Sequence, residues 1–258
     1  MQDCALILGA SSGFGAATCK ALVKKGINIY GIHLDRKANM DSVNRLIEEL
    51  KSSSSIVRFN NMSATDSKKR KAVIEELKSM QNVRIKVFMH SLAFGALKPV
   101  IDVDETNRLQ QRQIEMTLDV MGSSILYWTQ DLFTANLLQK GSQIFSMTSS
   151  GGHRQWKSYG AVSAAKSCLE SCCRQLAIEL AESGIAVNSI QGGVTDNPSL
   201  RKIPGNEQMI ENAKKINPGK RLTTPNDVAQ YITLLGLTEE TWLTGNTIRV
   251  DGGEDITG

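Results

Sequence analysis

Tyr159 and Lys166 stand seven residues apart in SMTSSGGHRQWKSYGAVSAAK, residues Ser146–Lys166. Seven residues make about two helical turns and about 10 Å of rise. On the helix that the pattern predicts from Ser158 onward, both side chains therefore share one face. A cation near a phenol favours its ionised form, which makes the phenol a readier proton donor. Taken alone the pair carries little, because Tyr and Lys share helix faces by chance in many proteins. Ser149, ahead of the same helix, is a hydroxyl that either orients a substrate or caps a turn.

A second group of residues suits an anion. GASSGFG, with Gly9, Ser11, Ser12, Gly13, Phe14 and Gly15, follows the apolar run Cys4–Leu8 and opens a helical pattern from Ala16 to Lys25 that stops at Gly26. Glycines in such a turn let the backbone approach a pyrophosphate, and the helix N-terminus adds unpaired N–H groups and a positive dipole end. The strand Asn28–His33 follows, so the glycines lie in the β–turn–α–β context that gives them meaning. Nucleotide choice turns on the end of this second strand, where an acidic residue would accept ribose hydroxyls and select NAD. His33 occupies that place by count, and Arg36 and Lys37 could pair with a 2′-phosphate. Asp35 argues for NAD if the turn is shifted by two. The balance favours NADPH, with NADH possible.

The elements that must position these groups alternate along the chain. Strands are expected at Cys4–Leu8, Asn28–His33, Ile56–Phe59, Ile85–Met89, Gln143–Met147, Ile185–Ile190 and Thr247–Val250. Helices are expected at Ala16–Lys25, Ser42–Lys51, Ser67–Met80, once or twice within Glu105–Leu138, and at Ser158–Ser183 and Pro225–Leu235, with a polar turn at Ser52–Ser55. This order predicts an α/β fold: one Rossmann-like, doubly wound domain over residues 1–258 with a seven-stranded parallel sheet. Ligands would bind at the strands' carboxyl ends. There GASSGFG, HSLAFGA (His90–Ala96), SMTSSGG and QGGVTDN would line one crevice. Residues 194–222, long, polar and rich in Pro and Gly, read as a substrate lid inserted after strand six, with a short helix near Glu207–Lys215.

Composition removes other classes. At 258 residues the chain can bury one sizeable core, and its net charge of +4 is mild. The basic run Lys68–Lys71 reads as the solvated start of a helix, so no nucleic-acid partner is expected. No apolar run reaches 18 residues, so no membrane span is expected, and the early first strand leaves no room for a signal peptide. Cys4, Cys19, Cys168, Cys172 and Cys173 lack metal-like or disulfide-like spacing, which suits a reduced, cytoplasmic protein with no metal. His90 reads as a loop anchor, Phe94 as either a substrate contact or a core side chain, and His153 and Arg154 as solvated loop residues.

Over essentially its whole length the chain resembles the short-chain dehydrogenase/reductase family. The resemblance rests on Gly9, Gly13 and Gly15, on Asn61–Met62, on HSLA at His90–Ala93, on Gly192–Gly193 and on Val250–Gly253. The family's usual catalytic set is a Ser, a Tyr, and a Lys four residues after the Tyr. Counting back from Lys166, Ser149 fills the Ser place, but Val162 stands where the Tyr would be and donates no proton. The enoyl-acyl-carrier-protein reductase branch uses Tyr-x6-Lys, which Tyr159 and Lys166 match. HSLAFGA resembles that branch's fourth-strand loop, and Asp119 fits its variant of the usual central-helix Asn. That branch commonly carries a second Tyr ten residues earlier, where this chain has Ser149.

The resemblance implies an NAD(P)H-dependent reductase of the C2=C3 bond of an enoyl thioester in fatty-acid synthesis, its acyl group on acyl carrier protein or coenzyme A. Tyr159, Lys166 and Ser149 would be catalytic. The nucleotide would meet the glycine turn, His33, Arg36, Asn61, Met62, Ser91, Leu92, Ala93, Met147, Tyr159, Lys166, Gly193 and Thr195. The substrate would meet Phe94, Gly95, Ser149 and Tyr159. The helix carrying Cys168–Cys173 resembles one that pairs subunits, which implies a homotetramer. Two other readings stay open: a reductase of 3-oxoacyl thioesters or another carbonyl, and a non-catalytic dinucleotide-binding sensor or scaffold.

Overall fold

Alternate residues of the first strand face opposite layers. In β1 (Gln2–Leu8), Leu6 and Leu8 pack into one apolar cluster while Ala5 and Ile7 pack into another. A strand whose successive side chains point to opposite faces must be covered on both, and the rest of the chain supplies those covers. The computed structural model describes residues 2–51, 55–80 and 82–257, so most of the expected Ser52–Ser55 turn lies outside the described residues.

The described strands are β1, β2 (Asn28–His33), β3 (Val57–Asn61), β4 (Val83–His90), β5 (Gln143–Thr148), β6 (Ala186–Gly192) and β7 (Thr247–Val250). They form one parallel sheet in the order β3-β2-β1-β4-β5-β6-β7. The chain winds outward from β1 to β3, crosses back to β4, and winds outward again. The switch point therefore falls between the carboxyl ends of β1 and β4.

Helices α1 (Gly13–Val23), α2 (Met40–Lys51) and α8 (Pro225–Leu237) cover one face through Leu22, Leu50, Val228 and Ile232. Helices α3 (Ser67–Ser79), α5 (Ser124–Thr134) and α6 (Gly160–Leu180) cover the other through Leu77, Trp128 and Leu169. Trp128 is wholly buried, and its indole N–H donates to Ala64 O at 2.8 Å. No described helix is long and apolar enough to cross a membrane.

Two boundaries depart from the sequence reading in ways that bear on the site. The helix expected from Glu105 starts only at α4 (Gln111–Leu118), where Gln110 and Gln113 form a reciprocal cap. Upstream, the carboxylates of Asp102 and Asp104 accept backbone N–H groups and close local turns that compete with helix. A π-turn at Asp119–Ser123 joins α4 to α5. The helix expected from Ser158 begins at Gly160, because Ser158 adopts φ +63, outside the right-handed region. Tyr159 is consequently the N-cap of α6 and not part of its body.

Residues 194–222 contain α7 (Asn206–Ile216), one residue longer at each end than the expected helix. Their feet meet: Thr223 N donates to Val194 O at 3.2 Å, and Asn217 Nδ2 donates to Asp251 O at 2.8 Å.

Candidate active site

The glycine turn closes the switch point by backbone contact. Gly9 has φ +87, and a Cβ placed there would overlap Ser91 O; Ser91 N in turn donates to Leu8 O at 2.9 Å. A Cβ on Gly15 would overlap Gly9 O, so α1 sits directly on the turn. Ser12 caps α1 with extended backbone but no side-chain hydrogen bond, and the first turn holds no acidic residue. The N–H groups of that turn are thus left for an anion. A Cβ on Gly13 would meet nothing within 4 Å, so the turn is open on that side. Phe14 packs beneath Gly192 at the end of β6, its ring 2.9 Å from where a Cβ would be. These features fit a dinucleotide pyrophosphate.

At the end of β2 the structure moves the rim position from His33 to Asp35. The His33 side chain is turned inward and buried, its Nδ1 3.0 Å from Asp35 Oδ2, because β2 continues through His33 into the core. It steadies Asp35 and does not face the crevice. The Asp35 carboxylate is also held by Asn39 and Ser11, and hydrogen bonds from Ser11 and His33 outweigh partial burial to keep its carboxyl below the usual range. Asn61 exchanges two hydrogen bonds with the Asp35 backbone, at 3.0 and 2.9 Å. Met62 is buried in the core and donates its N–H to His33 O. Arg36 and Lys37 are exposed. Across the crevice, Thr195 Oγ1 donates to Gly193 O at 3.0 Å.

Lys166 is buried and Tyr159 partly buried, but they do not act on each other as the spacing suggests. Lys166 Nζ donates to Met147 O at 2.6 Å, with His90 and Glu170 as its charged or titratable neighbours. Burial pushes the Tyr159 phenol up, and only the neighbouring Ser149 hydroxyl opposes this. The expected lowering by the cation is not present, because the ammonium is drawn to the carbonyl at the end of β5. Ser149 Oγ lies beside the Tyr159 ring yet makes no hydrogen bond of good geometry, and so remains an unpaired buried hydroxyl aimed into the site. A neutral phenol is a proton donor at physiological pH.

Val162, in the place the family's usual Tyr would fill, is buried with Met121 and Ala165, and Tyr159 and Leu97 pack against the same cluster. A Cβ on Gly95 would come within 2.7 Å of Val162 Cγ2 and 2.8 Å of Thr117 Cγ2, so the loop after β4 lies tightly on this apolar wall. Phe94 beside it is half exposed. Leu92 packs partly into the core.

His90 is wholly buried, and burial followed by the nearby Lys166 charge lowers it to about 3, so the ring is neutral. Ser124 Oγ donates to Val120 O, which leaves it to accept from His90 Nε2 at 2.8 Å. His90 anchors the loop, as its position suggested. Asp119 is turned away from Lys166 and accepts from Tyr127 at 3.0 Å. Sequence reasoning passed over Glu170, which accepts from Thr148 at 2.5 Å and lies beside Lys166; its i+4 spacing from that lysine was the available signal. His153 and Arg154 are not simply solvated: both pair with Asp255.

Burial, partly offset by Glu170, lowers the Lys166 ammonium from 10.5 to about 8. Between those values the folded protein binds fewer protons than the unfolded chain. This group's contribution to stability therefore rises with pH through that window and is lost as pH falls through about 8. Function runs the other way, because only the ammonium is a full donor to ribose hydroxyls. We expect turnover to decline above about pH 8, and Lys166→Arg, which stays charged, to move that limb to higher pH. A pH–rate profile with the same alkaline limb in both proteins would exclude Lys166 as its source.

Comparison with known proteins agrees with this arrangement. A family model described as enoyl-(acyl carrier protein) reductase matches residues 9–254. The chain is 24% identical to a 1-cyclohexenylcarbonyl-CoA reductase of Streptomyces collinus, over 99% of this chain and 88% of that one. It is 27% identical to a 3-oxoacyl-[acyl-carrier-protein] reductase of Thermotoga maritima, over 96% of each. Among solved structures, an enoyl-[acyl-carrier-protein] reductase (NADH) of Aquifex aeolicus superposes with a TM-score of 0.84 at 21% identity, covering 100% of this chain and 97% of that one.

Proposed function

The chain belongs to the short-chain dehydrogenase/reductase family, within the group its enoyl-reductase model describes, and is an oxidoreductase; from this we propose that it reduces the C2=C3 double bond of an enoyl thioester with NAD(P)H. The observation that carries this reading is the buried Val162, packed on Gly95, where a carbonyl reductase of this family would hold its Tyr. Tyr159 stands three residues earlier, on the same apolar wall. In carbonyl reduction the donor must sit beside the oxygen of the carbon that receives hydride. In enoyl reduction charge develops on the thioester oxygen, two carbons away, and a displaced phenol suits that geometry.

The nicotinamide, when bound, supplies the hydride. Tyr159 would donate a hydrogen bond to the thioester oxygen and stabilise the enolate. Lys166, anchored on Met147 O, would offer its remaining donors to the ribose hydroxyls. The unpaired Ser149 hydroxyl would steady the phenol or the substrate. Gly9, Gly13, Gly15 and the start of α1 would hold the pyrophosphate. Exposed Arg36 and Lys37 favour NADPH, since the Asp35 carboxylate is already engaged by His33, Asn39 and Ser11. Segment 194–222 would cover the acyl chain, carried by acyl carrier protein or coenzyme A. A cytoplasmic homotetramer joined through the Cys168–Cys173 region of α6 completes the reading.

NADPH and NADH oxidation by the purified protein, with crotonyl- and acetoacetyl-CoA side by side, tests it. Faster turnover of crotonyl-CoA, and of NADPH over NADH, is expected. Turnover of acetoacetyl-CoA alone would show that the displaced Tyr serves carbonyl reduction. Nucleotide binding with no turnover of either would favour a sensor or scaffold.

A further inference from the structure

Two arginines and a histidine converge on one buried carboxylate at the edge of the site. Asp255 has a side chain only 3% exposed. Its Oδ1 meets Arg154 Nε at 2.9 Å, and its Oδ2 meets His153 Nε2 at 3.0 Å and Arg249 Nε at 3.1 Å. Arg154 Nη2 also donates to the Asp255 main-chain oxygen at 2.5 Å. His153 and Arg154 belong to the connection between Ser149 and Tyr159, whereas Arg249 lies on β7. The connection is also held locally, by Ser167 Oγ to Gly152 O at 2.6 Å and Arg154 N to Ser150 O at 2.7 Å. Its last part, however, ends in Ser158 at φ +63, and Tyr159 has no side-chain cap bond.

The turn carrying Asp255 is firmly built. The buried Asp251 carboxylate accepts from Gly253 N at 2.9 Å and Asp255 N at 3.0 Å. Glu254 accepts from Val194 N at 3.1 Å, and Asp251 O accepts from Asn217 Nδ2. One turn thus fastens Val194 and Asn217 of segment 194–222 and, through Asp255, the loop that carries Tyr159. Exposed ion pairs contribute little singly, but a buried carboxylate that meets Arg154 and His153 of the loop, and is itself held by Arg249 and Gln191, restricts where the loop can lie.

We propose that Asp255 is a positioning residue for Tyr159, clamping the Ser149–Tyr159 loop to the C-terminal turn through Arg154 and His153. This rests on the reading of Tyr159 as the donor. Displacement of a donor by about 1 Å can cost 10²-fold in rate with little change in ground-state binding.

The test compares Asp255→Asn, Arg154→Ala, Arg249→Ala and Tyr159→Phe in the full chain, measuring kcat and KM for crotonyl-CoA and NADPH affinity by nucleotide fluorescence. Asp255→Asn and Arg154→Ala should each lower kcat by about tenfold or more, with KM and NADPH affinity within about twofold. The double variant should be little worse than either single one, because both remove the same contact. Arg249→Ala, which spares the loop, should stay within about twofold of the parent kcat. Should Asp255→Asn fail to fold, Arg154→Ala and His153→Ala carry the comparison. An inactive Tyr159→Phe beside a fully active Asp255→Asn and Arg154→Ala overturns the clamp alone. Full activity of Tyr159→Phe overturns the donor reading and the clamp with it. Parallel loss of kcat and NADPH binding in Asp255→Asn and Arg154→Ala would mean general destabilisation and would also overturn it.

Discussion

Tyr159→Phe is expected to lower kcat for crotonyl-CoA by about 10²–10⁴-fold, the range that a positioned proton donor contributes. The substitution removes one hydroxyl and keeps the ring that packs with Val162, Met121 and Ala165, so the fold should be unaffected. Burial holds the phenol above its ordinary value, so the hydroxyl is present to donate across the physiological range. NADPH affinity and thermal stability should stay close to those of the parent. The split between kcat and binding is the diagnostic: a residue that only lines the pocket would change KM. Retained turnover would mean that the thioester oxygen is met by another group, with Ser149 as the first to examine.

Gly15→Ala should lower NADPH affinity by about tenfold or more and also lower the melting temperature by several degrees, since overpacking against fixed backbone costs about 1–3 kcal/mol. The direction is informative because propensity alone predicts the opposite. Gly15 lies inside α1, where alanine is ordinarily better by about 1 kcal/mol. Here the added methyl would overlap Gly9 O and lie 2.9 Å from Gly9 C, and neither atom is the tip of a flexible side chain. Relief requires moving the turn away from α1, which misaligns the N–H groups that would meet the pyrophosphate. Gly13→Ala is the contrast: its methyl would meet nothing, so only the strain of φ +52 remains, about 1–2 kcal/mol. Calorimetry and nucleotide titration of the two variants separate steric overlap from backbone strain. Equal losses in both would show that the helix–turn contact is not the limiting one.

Much of the scaffold was readable because its signals are local. Asn28–His33 and Thr247–Val250 are strands over the expected residues, since apolar runs flanked by turn residues need no distant partner to be recognised. The glycine turn was readable for the same reason. What escaped depended on single backbone angles or on partners far along the chain. A left-handed Ser158 moves Tyr159 off the helix body, and nothing in the local pattern announces it. The direction of Lys166 is decided by a carbonyl 19 residues away, so helical spacing could suggest proximity to Tyr159 but not the bond made. The move of the rim position from His33 to Asp35 follows from the inward orientation of the last residue of β2, which the extent of the strand does not announce. Asp255 was invisible as a partner of the loop because Arg154 and His153 lie 101 and 102 positions earlier.

The joint at the base of segment 194–222 has a consequence for how such a protein can diversify. Its two ends lie one hydrogen bond apart, Thr223 N to Val194 O, and the Asp251–Glu254 turn holds Val194 and Asn217 from below. A cassette closed at its own base can be lengthened, shortened or exchanged without altering the sheet that carries it. Doubling its length would add only about 0.6 kcal/mol of closure entropy. On the proposed reading, selection for a new acyl group could work on this segment while the glycine turn and the Tyr159 loop remain unchanged, so that one frame could acquire many appetites.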